Sequence, residues 1–477
     1  MKNRIFTSKI SIRFLKGPVS DKPWPLHQIV SVWRIPLKIQ LPDKVSKIIN
    51  ILEEAGYEAY AVGGCVRDSI LGRTPDDWDI TTSAKPEECK RLFPRTVDTG
   101  IKHGTVTVLL GGEGFEVTTY RIDGVYEDGR HPSEVTFTAN LREDLRRRDF
   151  TINAMAYNER CGLVDIYGGM QDIEDRVIRC VGNAQERFDE DALRMLRAVR
   201  FSAQLGYRID ENTGKAVKAM APNLQKISAE RIQSELVKLV TSPHPDYLRT
   251  AYELGITAQI LPEFDLCMET PQRHKHHCYD VGEHILHSMS GVGPDKVLRL
   301  GMLFHDIGKP QTLTVDADGT THNKRHPYEG EKITRKVMRR LKFDNDTTDK
   351  VTKLVLYHDY DIAATEAGVR RAMNRMGEDI FAMIFPVRRA DIGAQSDYMR
   401  EEKLRKVAYI EEIYQEILNR KDAVTLKDLA ISGSDLIAEG MMPGRQIGET
   451  LAALLDKVLD DPDLNRKEIL LKLSKEL

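Results

Sequence analysis

The spacing of apolar residues changes along the chain, and the change separates two kinds of structure. From about Leu41 apolar positions recur every three to four residues, which predicts a helix over 44–55, followed by a strand at Ala59–Val62 and a Gly-Gly turn. Apolar and polar residues then alternate over Thr105–Leu110, 115–120 and 134–138, as they do in half-buried strands. These segments predict one small mixed sheet with helices beside it.

After about Ala184 the strand pattern fades and helical spacing takes over. Helices are predicted over 189–204, 213–220 and 229–239, and then over most of 280–475. The fold class is therefore expected to be α+β, with a small mixed-sheet head and a mainly α-helical remainder. With 477 residues, a prior of roughly 150 residues per domain gives about three domains.

Composition limits which partners and which cellular compartment are expected for the protein. The net charge is only -3, so a nucleic acid would have to be bound by a local basic surface. The six cysteines form no CxxC pair, and no apolar run approaches 18 residues, which favours a cytoplasmic protein with no membrane partner. Residues 1–40 carry eight Lys or Arg against one acid, Asp21, and we interpret them as a solvated basic arm rather than an organellar transit peptide.

Two short motifs near the start of the predicted sheet suggest phosphoryl-transfer chemistry. Residues 63–68 read GGCVRD, and Asp77-Trp78-Asp79 follows nine residues later. Alternation along a strand would place Asp77 and Asp79 on one face, where two carboxylates can hold two divalent ions. A glycine turn lets backbone N–H groups approach a triphosphate. Each motif alone is also compatible with an ordinary turn or a solvated surface pair.

Their order along the chain, with three further segments, resembles the tRNA nucleotidyltransferases that add CCA, in the bacterial-type class that also contains bacterial poly(A) polymerases. The segments that carry the resemblance are GGCVRDSILGRTPDDWDI (63–80), RRDFTINAMAY (147–157), DIYGGMQDI (165–173), EDALRMLRAVRF (190–201) and ERIQSE (230–235).

The resemblance implies a role for each matching residue. Asp77 and Asp79 are expected to bind Mg²⁺, and the nucleotide is expected to be bound by Gly64, Arg67, Arg148, Asp149, Asp191, Arg194, Arg197 and Arg200. Within that set, Gly64 and Arg67 would meet the triphosphate, Arg148 and Asp149 the ribose, and Asp191 and Arg194 the base of CTP or ATP. Glu116 is a candidate third carboxylate.

The residues themselves agree with a nucleotide-reading helix. Positions 191, 194, 197 and 200 step by three and would form one helical ridge. The alternative is a surface ion pair between Asp191 and Arg194. Glu230 and Glu235, which flank Arg231, are expected to brace helices by ion pairing.

A second constellation lies in the helical region. Residues 279–289 read YDVGEHILHSM and residues 303–310 read LFHDIGKP. With later histidines and an aspartate, these segments resemble the HD superfamily of metal-dependent phosphohydrolases, which implies a divalent transition metal held by His284, His305, Asp306, His326, His358 and Asp391. The neighbouring His274, His276, His277 and His287 are expected to be packed or exposed residues without a metal role.

Residues 121–132 (RIDGVYEDGRHP) form a glycine-containing charged loop between two predicted strands. In the family a flexible loop here is associated with the switch from C to A addition. Its presence predicts an enzyme able to add the terminal A.

We therefore predict a basic arm (1–40), a nucleotidyltransferase head (41–175), a helical neck and body (176–270), an HD domain (271–395) and a helical tRNA-binding tail (396–477). The expected partners are CTP, ATP and the 3′ end of tRNA, and the sequence leaves the oligomeric state open. The rival within the class is a poly(A) polymerase or an A-adding enzyme. The rival of another class is an HD phosphohydrolase whose head only binds RNA.

Overall fold

The computed structural model describes residues 33–35, 37–124 and 135–477. Most of the predicted basic arm and most of the predicted loop at 121–132 lie outside these described residues. Among the helices of the described chain, none is long and apolar enough to span a bilayer.

The head is built on one mixed sheet, as predicted. Its eight strands in the described chain are β1 (Trp33–Ile35), β2 (Ala59–Val62), β3 (Ile80–Thr82), β4 (Thr96–Gly100), β5 (Thr105–Leu110), β6 (Glu113–Thr119), β9 (Met155–Asn158) and β10 (Gly162–Asp165). Their spatial order is β1-β10-β9-β2-β3-β6-β5-β4. Within it β3 and β6 pair in parallel, whereas the other neighbours pair antiparallel. Strand β7 (Arg121–Asp123) pairs antiparallel with β8 (Val135–Phe137), so the first three residues of the predicted loop at 121–132 are a strand instead.

Short helices cover the head sheet: α1 (Asp43–Glu54), α2 (Gly64–Ile70), α3 (Pro86–Leu92), α4 (Leu141–Arg146) and α5 (Gly169–Glu174). Helix α1 shows why the apolar spacing was informative. Its buried residues Val45, Ile48, Ile49 and Leu52 are three to four positions apart and form one face against the sheet.

The neck and body are helical: α6 (Ala184–Glu190), α7 (Leu193–Leu205), α8 (Glu211–Met220), α9 (Ala229–Val240), α10 (Leu248–Glu253), α11 (Thr257–Ile260) and α12 (Pro262–Met268), with two short parallel strands, β11 (Val177–Ile178) and β12 (Arg208–Ile209). The single helix predicted over 189–204 is wrong. Asp191 has an extended backbone, φ -148° and ψ 103°, and it separates α6 from α7. Its carboxylate accepts a hydrogen bond from the backbone N–H of Leu193 at 3.0 Å, so it caps the second helix.

The remainder is also helical and packs onto the body. Its helices are α13 (Val281–Ser290), α14 (Lys296–Phe304), α15 (Lys309–Thr312), α16 (His326–Arg340), α17 (Asn345–Tyr357), α18 (Glu366–Met376), α19 (Glu378–Gly393), α20 (Arg400–Arg420), α21 (Gly433–Ala438), α22 (Arg445–Asp460) and α23 (Lys467–Ser474), and β13 (Thr314–Val315) pairs with β14 (Thr321–His322). Helix α14 contacts α9, and Arg340 forms a bidentate ion pair with Glu263 at 2.6 and 2.7 Å. The helical region is thus joined directly to the body.

Candidate active sites

Only glycine fits at position 63, in the turn directly after β2. Gly63 has a φ of 87°, and a Cβ at this position would lie 2.9 Å from a guanidinium nitrogen of Arg148. The next residue, Gly64, begins α2 and lines a cavity of about 560 Å³ together with Arg67 and Asp77. The turn therefore places the Gly64 backbone and the Arg67 guanidinium at the cavity that also contains Asp77, a predicted metal ligand.

Asp77 and Asp79 lie directly before β3 rather than inside a strand, because β3 begins at Ile80. The carbonyl of Asp79 nevertheless accepts from the backbone N–H of Val62 at 3.0 Å, which keeps this segment beside β2. The parallel register pairs Ile80 with Val117, and one residue earlier this places Glu116 of β6 next to Asp79.

These carboxylates repel one another. Burial raises the pKa of Asp79 to about 6; Arg148 opposes the shift, whereas Asp77 and Glu116 add to it. A group of like charges that resists ionisation in this way suits a bound divalent cation, which would neutralise it. The residues present therefore fit the metal ion expected in the head.

Arg67 and Arg200 line the cavity that contains Asp77, and both contact the ring of Phe201. The ring of Phe201 lies 5.0 Å from the guanidinium of Arg67 and 3.6 Å from that of Arg200. Arg67 donates to the Asn153 amide oxygen at 2.6 Å, and Arg200 donates to Glu235 at 2.7 Å. Both arginines are thereby fixed at the cavity that contains Asp77.

Asp149 connects the head to helix α7. It accepts two hydrogen bonds from Arg197, at 2.9 and 2.6 Å, and one from Asn153 at 3.2 Å. Burial alone would raise the pKa of the Asp149 carboxyl, but Arg197 and Arg194 hold it below its usual range. The preceding Arg148 lies behind the Gly63 turn, with its guanidinium 3.6 Å from Asp144.

The two residues predicted to read the base are not paired with each other. Asp191 accepts from both terminal nitrogens of Arg231, at 3.2 and 2.6 Å. Arg194 donates to Glu190 at 2.5 Å and to the carbonyl of Arg147 at 3.0 Å. Each is thus held by a different neighbour. Sequence reasoning missed Arg231, although it lies in the ERIQSE segment that carried part of the resemblance.

The second constellation also assembles as predicted in space, around Asp306. The Nε2 atoms of His284 and His305 lie 3.5 and 3.4 Å from one oxygen of Asp306. Those of His326 and His358 lie 3.3 and 3.7 Å from its other oxygen. The carboxylate therefore offers one oxygen to each histidine pair.

The sixth residue, Asp391 on α19, closes the first half of this cluster. Its Oδ1 lies 2.9 Å from Nε2 of His284. His284, His305 and Asp306 form one set of potential metal ligands, and Asp306, His326 and His358 form another.

The hydrogen bonds at Nδ1 of the four histidines fix the orientation of each ring. Every Nδ1 faces a backbone carbonyl: Ala394 for His284 at 3.3 Å, Met302 for His305 at 2.7 Å, Asn323 for His326 at 2.8 Å and Val355 for His358 at 2.7 Å. A carbonyl only accepts, so each Nδ1 carries a proton and each ring turns its Nε2 toward the cluster.

The Nε2 atoms face each other in pairs. Nε2 of His284 lies 3.2 Å from that of His305, and Nε2 of His326 lies 3.2 Å from that of His358. Nitrogen and carboxylate donors in this arrangement fit divalent transition metals.

Charge beside the cluster keeps Asp306 ionised. Burial would raise the pKa of its carboxyl, but Lys309, whose ammonium lies 2.5 Å away, and His305 hold it well below its usual range. Lys309 also donates to the amide oxygen of Gln272 at 2.7 Å. The central ligand is therefore available as an anion.

The cavity at this centre has a volume of about 280 Å³. It is lined by three histidines that were expected to have no metal role: His274, His276 and His277. Burial, Lys309 and His284 lower the pKa of His277 to about 3, so its ring is neutral. The fourth, His287, stacks on Tyr279 at 4.1 Å between ring centroids, in keeping with a packed residue. The sequence signal for the three cavity-lining histidines was the HHC run at 276–278, which lies just before the ligand His284.

Comparison with known families identifies three stretches of the chain. The model described as "Poly A polymerase head domain" matches residues 59–179, "Probable RNA and SrmB- binding site of polymerase A" matches 206–268, and "tRNA nucleotidyltransferase domain 2 putative" matches 329–473.

Whole-chain comparisons agree. The chain is 34% identical over 420 residues to the CCA-adding enzyme of Streptococcus mutans, a match that covers 86% of this chain and 92% of that protein. It is 50% identical over 231 residues to the CCA-adding enzyme of Lactobacillus helveticus, covering 47% of this chain and 57% of that protein. In this and other relatives at similar identity, the chain spans about half of the relative's length.

A similar fold is seen in the crystal structure of the Bacillus stearothermophilus CCA-adding enzyme in complex with CTP. The TM-score is 0.70 at 31% identity, and the match covers 90% of this chain and 96% of that chain. The likeness therefore extends from the head through the helical region.

Proposed function

The chain belongs to the family of CCA-adding enzymes, and from this premise we propose that it adds C, C and A to the 3′ end of tRNA, using CTP and ATP, without a nucleic-acid template. The observation that carries the proposal is the convergence of Asp77, Asp79 and Glu116 beside a cavity walled by a glycine turn and two fixed arginines.

Asp77 and Asp79 would hold the divalent ion, which we propose is Mg²⁺, with Glu116 as a third carboxylate. When bound, the ion would activate the attacking 3′ hydroxyl and offset charge on the departing pyrophosphate. The Gly64 turn and Arg67 bind and orient the triphosphate. Arg148 and Asp149 contact the ribose.

Base choice is assigned to Asp191 and Arg194. An aspartate accepts and an arginine donates in a planar fork, so together they can recognise the edge of a base as a paired strand would. Arg231 and Glu190 hold the two side chains apart, so that Asp191 and Arg194 bond these neighbours and not each other. Arg197 acts mainly through Asp149, and Arg200 completes the cavity wall.

The division of the chain at 40, 175, 270 and 395 and its cytoplasmic location stay predictions. We propose that the helical tail after 395 contacts tRNA. Double-helical RNA is recognised through backbone and shape, so this contact needs a matching surface rather than base-reading side chains.

The proposal is tested with tRNA that lacks its last three nucleotides, incubated with each labelled nucleotide alone and in combination, followed by sequencing of the products. We expect two C residues with CTP, CCA with CTP and ATP together, and no extension with UTP or GTP. A long A tail from ATP alone would favour a poly(A) polymerase instead.

A specific observation favours a second activity in the same chain. Four histidines, Asp391 and the shared Asp306 form two adjoining sets of ligand atoms that suit two divalent ions, and we propose that this HD centre hydrolyses phosphoesters. Bound ions would lower the pKa of water and offset charge on the phosphoester. The test is hydrolysis of bis(4-nitrophenyl) phosphate with added Mn²⁺, Ni²⁺, Co²⁺ or Mg²⁺. Activity should be lost when His305 and Asp306 are both changed to Ala.

A further inference from the structure

A second cavity, of about 240 Å³, adjoins the one at the HD centre. The two share five lining residues, among them the ligands His358 and Asp391. Beyond these, the second cavity is lined by Tyr360 and Asp361, by Arg388 and Ile392 of α19, and by Lys406 and Val407 of α20. The HD centre therefore lies where two cavities meet, so both substituents of a phosphodiester there have room.

Arg388 contributes a hydrogen-bond donor without a partner to the second cavity. One terminal nitrogen donates to the carbonyl of Tyr360, whereas its buried Nε has no hydrogen-bond partner in the described part of the chain. Burial lowers the pKa of the Arg388 guanidinium, and the carboxylates of Asp359, Asp391 and Asp361 oppose that shift without forming a direct ion pair with it in the described part of the chain. A buried N–H without an acceptor is costly, which suggests that a ligand supplies an acceptor such as a phosphate oxygen.

Lys403, at the junction of the two cavities, is similar. Its ammonium donates to the amide oxygen of Gln395 at 2.6 Å and lies 3.1 Å from Nδ1 of His276, and both partners are uncharged acceptors. By contrast, Lys406 is neutralised by Asp361 at 2.8 Å. Arg388 and Lys403 are therefore the two cations of the second cavity that have no direct ion pair among the described residues, although Asp359 and Asp391 lie near both.

The position of Arg388 sets the distance to that anion. Arg388 and the ligand Asp391 are three residues apart on α19, so their side chains are neighbours on one face, about 5 to 6 Å apart at Cβ. One nucleotide can bridge such a separation, with one phosphate at the ligands and the next at the guanidinium.

We propose that the HD centre acts on nucleotide phosphodiesters that carry a second phosphate one nucleotide away, as in an oligonucleotide, and that Arg388 binds this second phosphate. The inference rests on the proposed hydrolase activity. In the reaction a water oxygen forms a bond to phosphorus, the bond from phosphorus to the leaving oxygen breaks, and that oxygen takes a proton from the water.

Two chromogenic substrates that differ by one phosphate test this. Thymidine 5′-(4-nitrophenyl phosphate) has one phosphate, and its 3′-phosphorylated form has two. With Mn²⁺ present, we expect kcat/KM for the second to exceed that for the first by about tenfold or more, because a guanidinium–phosphate contact is charge-assisted. Arg388→Met should remove this preference and change hydrolysis of the one-phosphate substrate less than threefold. Arg388→Lys should restore part of it.

Arg389→Met is the matched control, since Arg389 is next on the same helix and is bound to Glu411 at 2.6 Å. It should retain the preference. Equal rates on the two substrates in the unchanged protein, or an equal loss on both in Arg388→Met, would overturn the role of Arg388. Hydrolysis of neither substrate with any of the four metals would overturn the hydrolase proposal itself, and the inference with it.

Discussion

The head and the HD centre each gather acidic side chains for metal ions, but they do so in opposite surroundings. In the head, Asp77 and Glu116 are exposed and Asp79 is half-buried, at the end of a strand beside an open cavity. At the HD centre, His284 on α13 and His305 and Asp306 at the end of α14 are at most 2% exposed. On the proposed function the head admits a nucleotide and an RNA end, and accessible ligands allow this, whereas the histidines of the HD centre are oriented by backbone carbonyls.

This difference predicts that the head ligands matter for activity and the HD ligands also for stability. In the head, Asp79 lies among like charges, so its removal relieves repulsion. Buried HD ligands, once paired with metal, add the free energy of binding to that of folding.

The largest expected effect is the loss of nucleotide addition in Asp79→Ala. Turnover should fall by at least about a hundredfold, because the charge that develops in the transition state loses its stabilising ion. The melting temperature should stay within about a degree of the unchanged protein or rise slightly, as is common when functional strain is removed. Primer-extension rates measure turnover, and thermal unfolding measures the melting temperature.

Glu113→Ala, three residues before Glu116 on β6, is the control and should keep full activity. Retention of more than a few percent of turnover in Asp79→Ala would contradict the assignment.

Metal removal should affect the two regions differently. At 100 times its dissociation constant a ligand stabilises by about 2.7 kcal/mol, so a chelator should lower the melting temperature by roughly 5 to 10 °C. The Asp79→Ala protein should show the same drop, whereas the protein with His305 and Asp306 changed to Ala should show none. A chelator effect that survives the HD changes would place the stabilising metal elsewhere.

A smaller effect, on nucleotide selection, is expected when Arg194 or the partner of Asp191 is changed. Arg194→Ala should relax selection of CTP and ATP over UTP and GTP by roughly ten- to a hundredfold, and Arg231→Ala by about tenfold, because Asp191 loses its partner. Competition between labelled nucleotides measures this selection, with Arg208→Ala, an exposed arginine in the same region, as the control. Equal slowing with all four nucleotides would show that these residues support the fold and do not choose the base.

The sequence predicted local structure best where one face of an element is buried. The strands Ala59–Val62 and Thr105–Leu110 have the predicted bounds, because alternation or apolar runs bounded by turns are local signals. The break at Asp191 was missed because no glycine or proline marks it; the available signal was an aspartate in capping position.

The sites were predictable as sets of residues but not as contacts. The HD ligands were found by their residue types and order, whereas the way Asp306 serves both histidine pairs depends on how five helices pack. Likewise, Glu116 reaches Asp79 through the parallel pairing of β3 with β6, and Arg231 reaches Asp191 across 40 residues of chain. Such pairings are non-local, so no periodicity in one segment reveals them.

The central claim, that one chain contains two independent centres, is tested most directly by measuring both activities in both variants. Nucleotide addition to tRNA and hydrolysis of bis(4-nitrophenyl) phosphate are assayed in Asp79→Ala and in the protein with His305 and Asp306 changed to Ala. The account predicts that the first variant loses only nucleotide addition and the second loses only hydrolysis. Loss of both activities in Asp79→Ala, or hydrolysis that persists without His305 and Asp306, would contradict it.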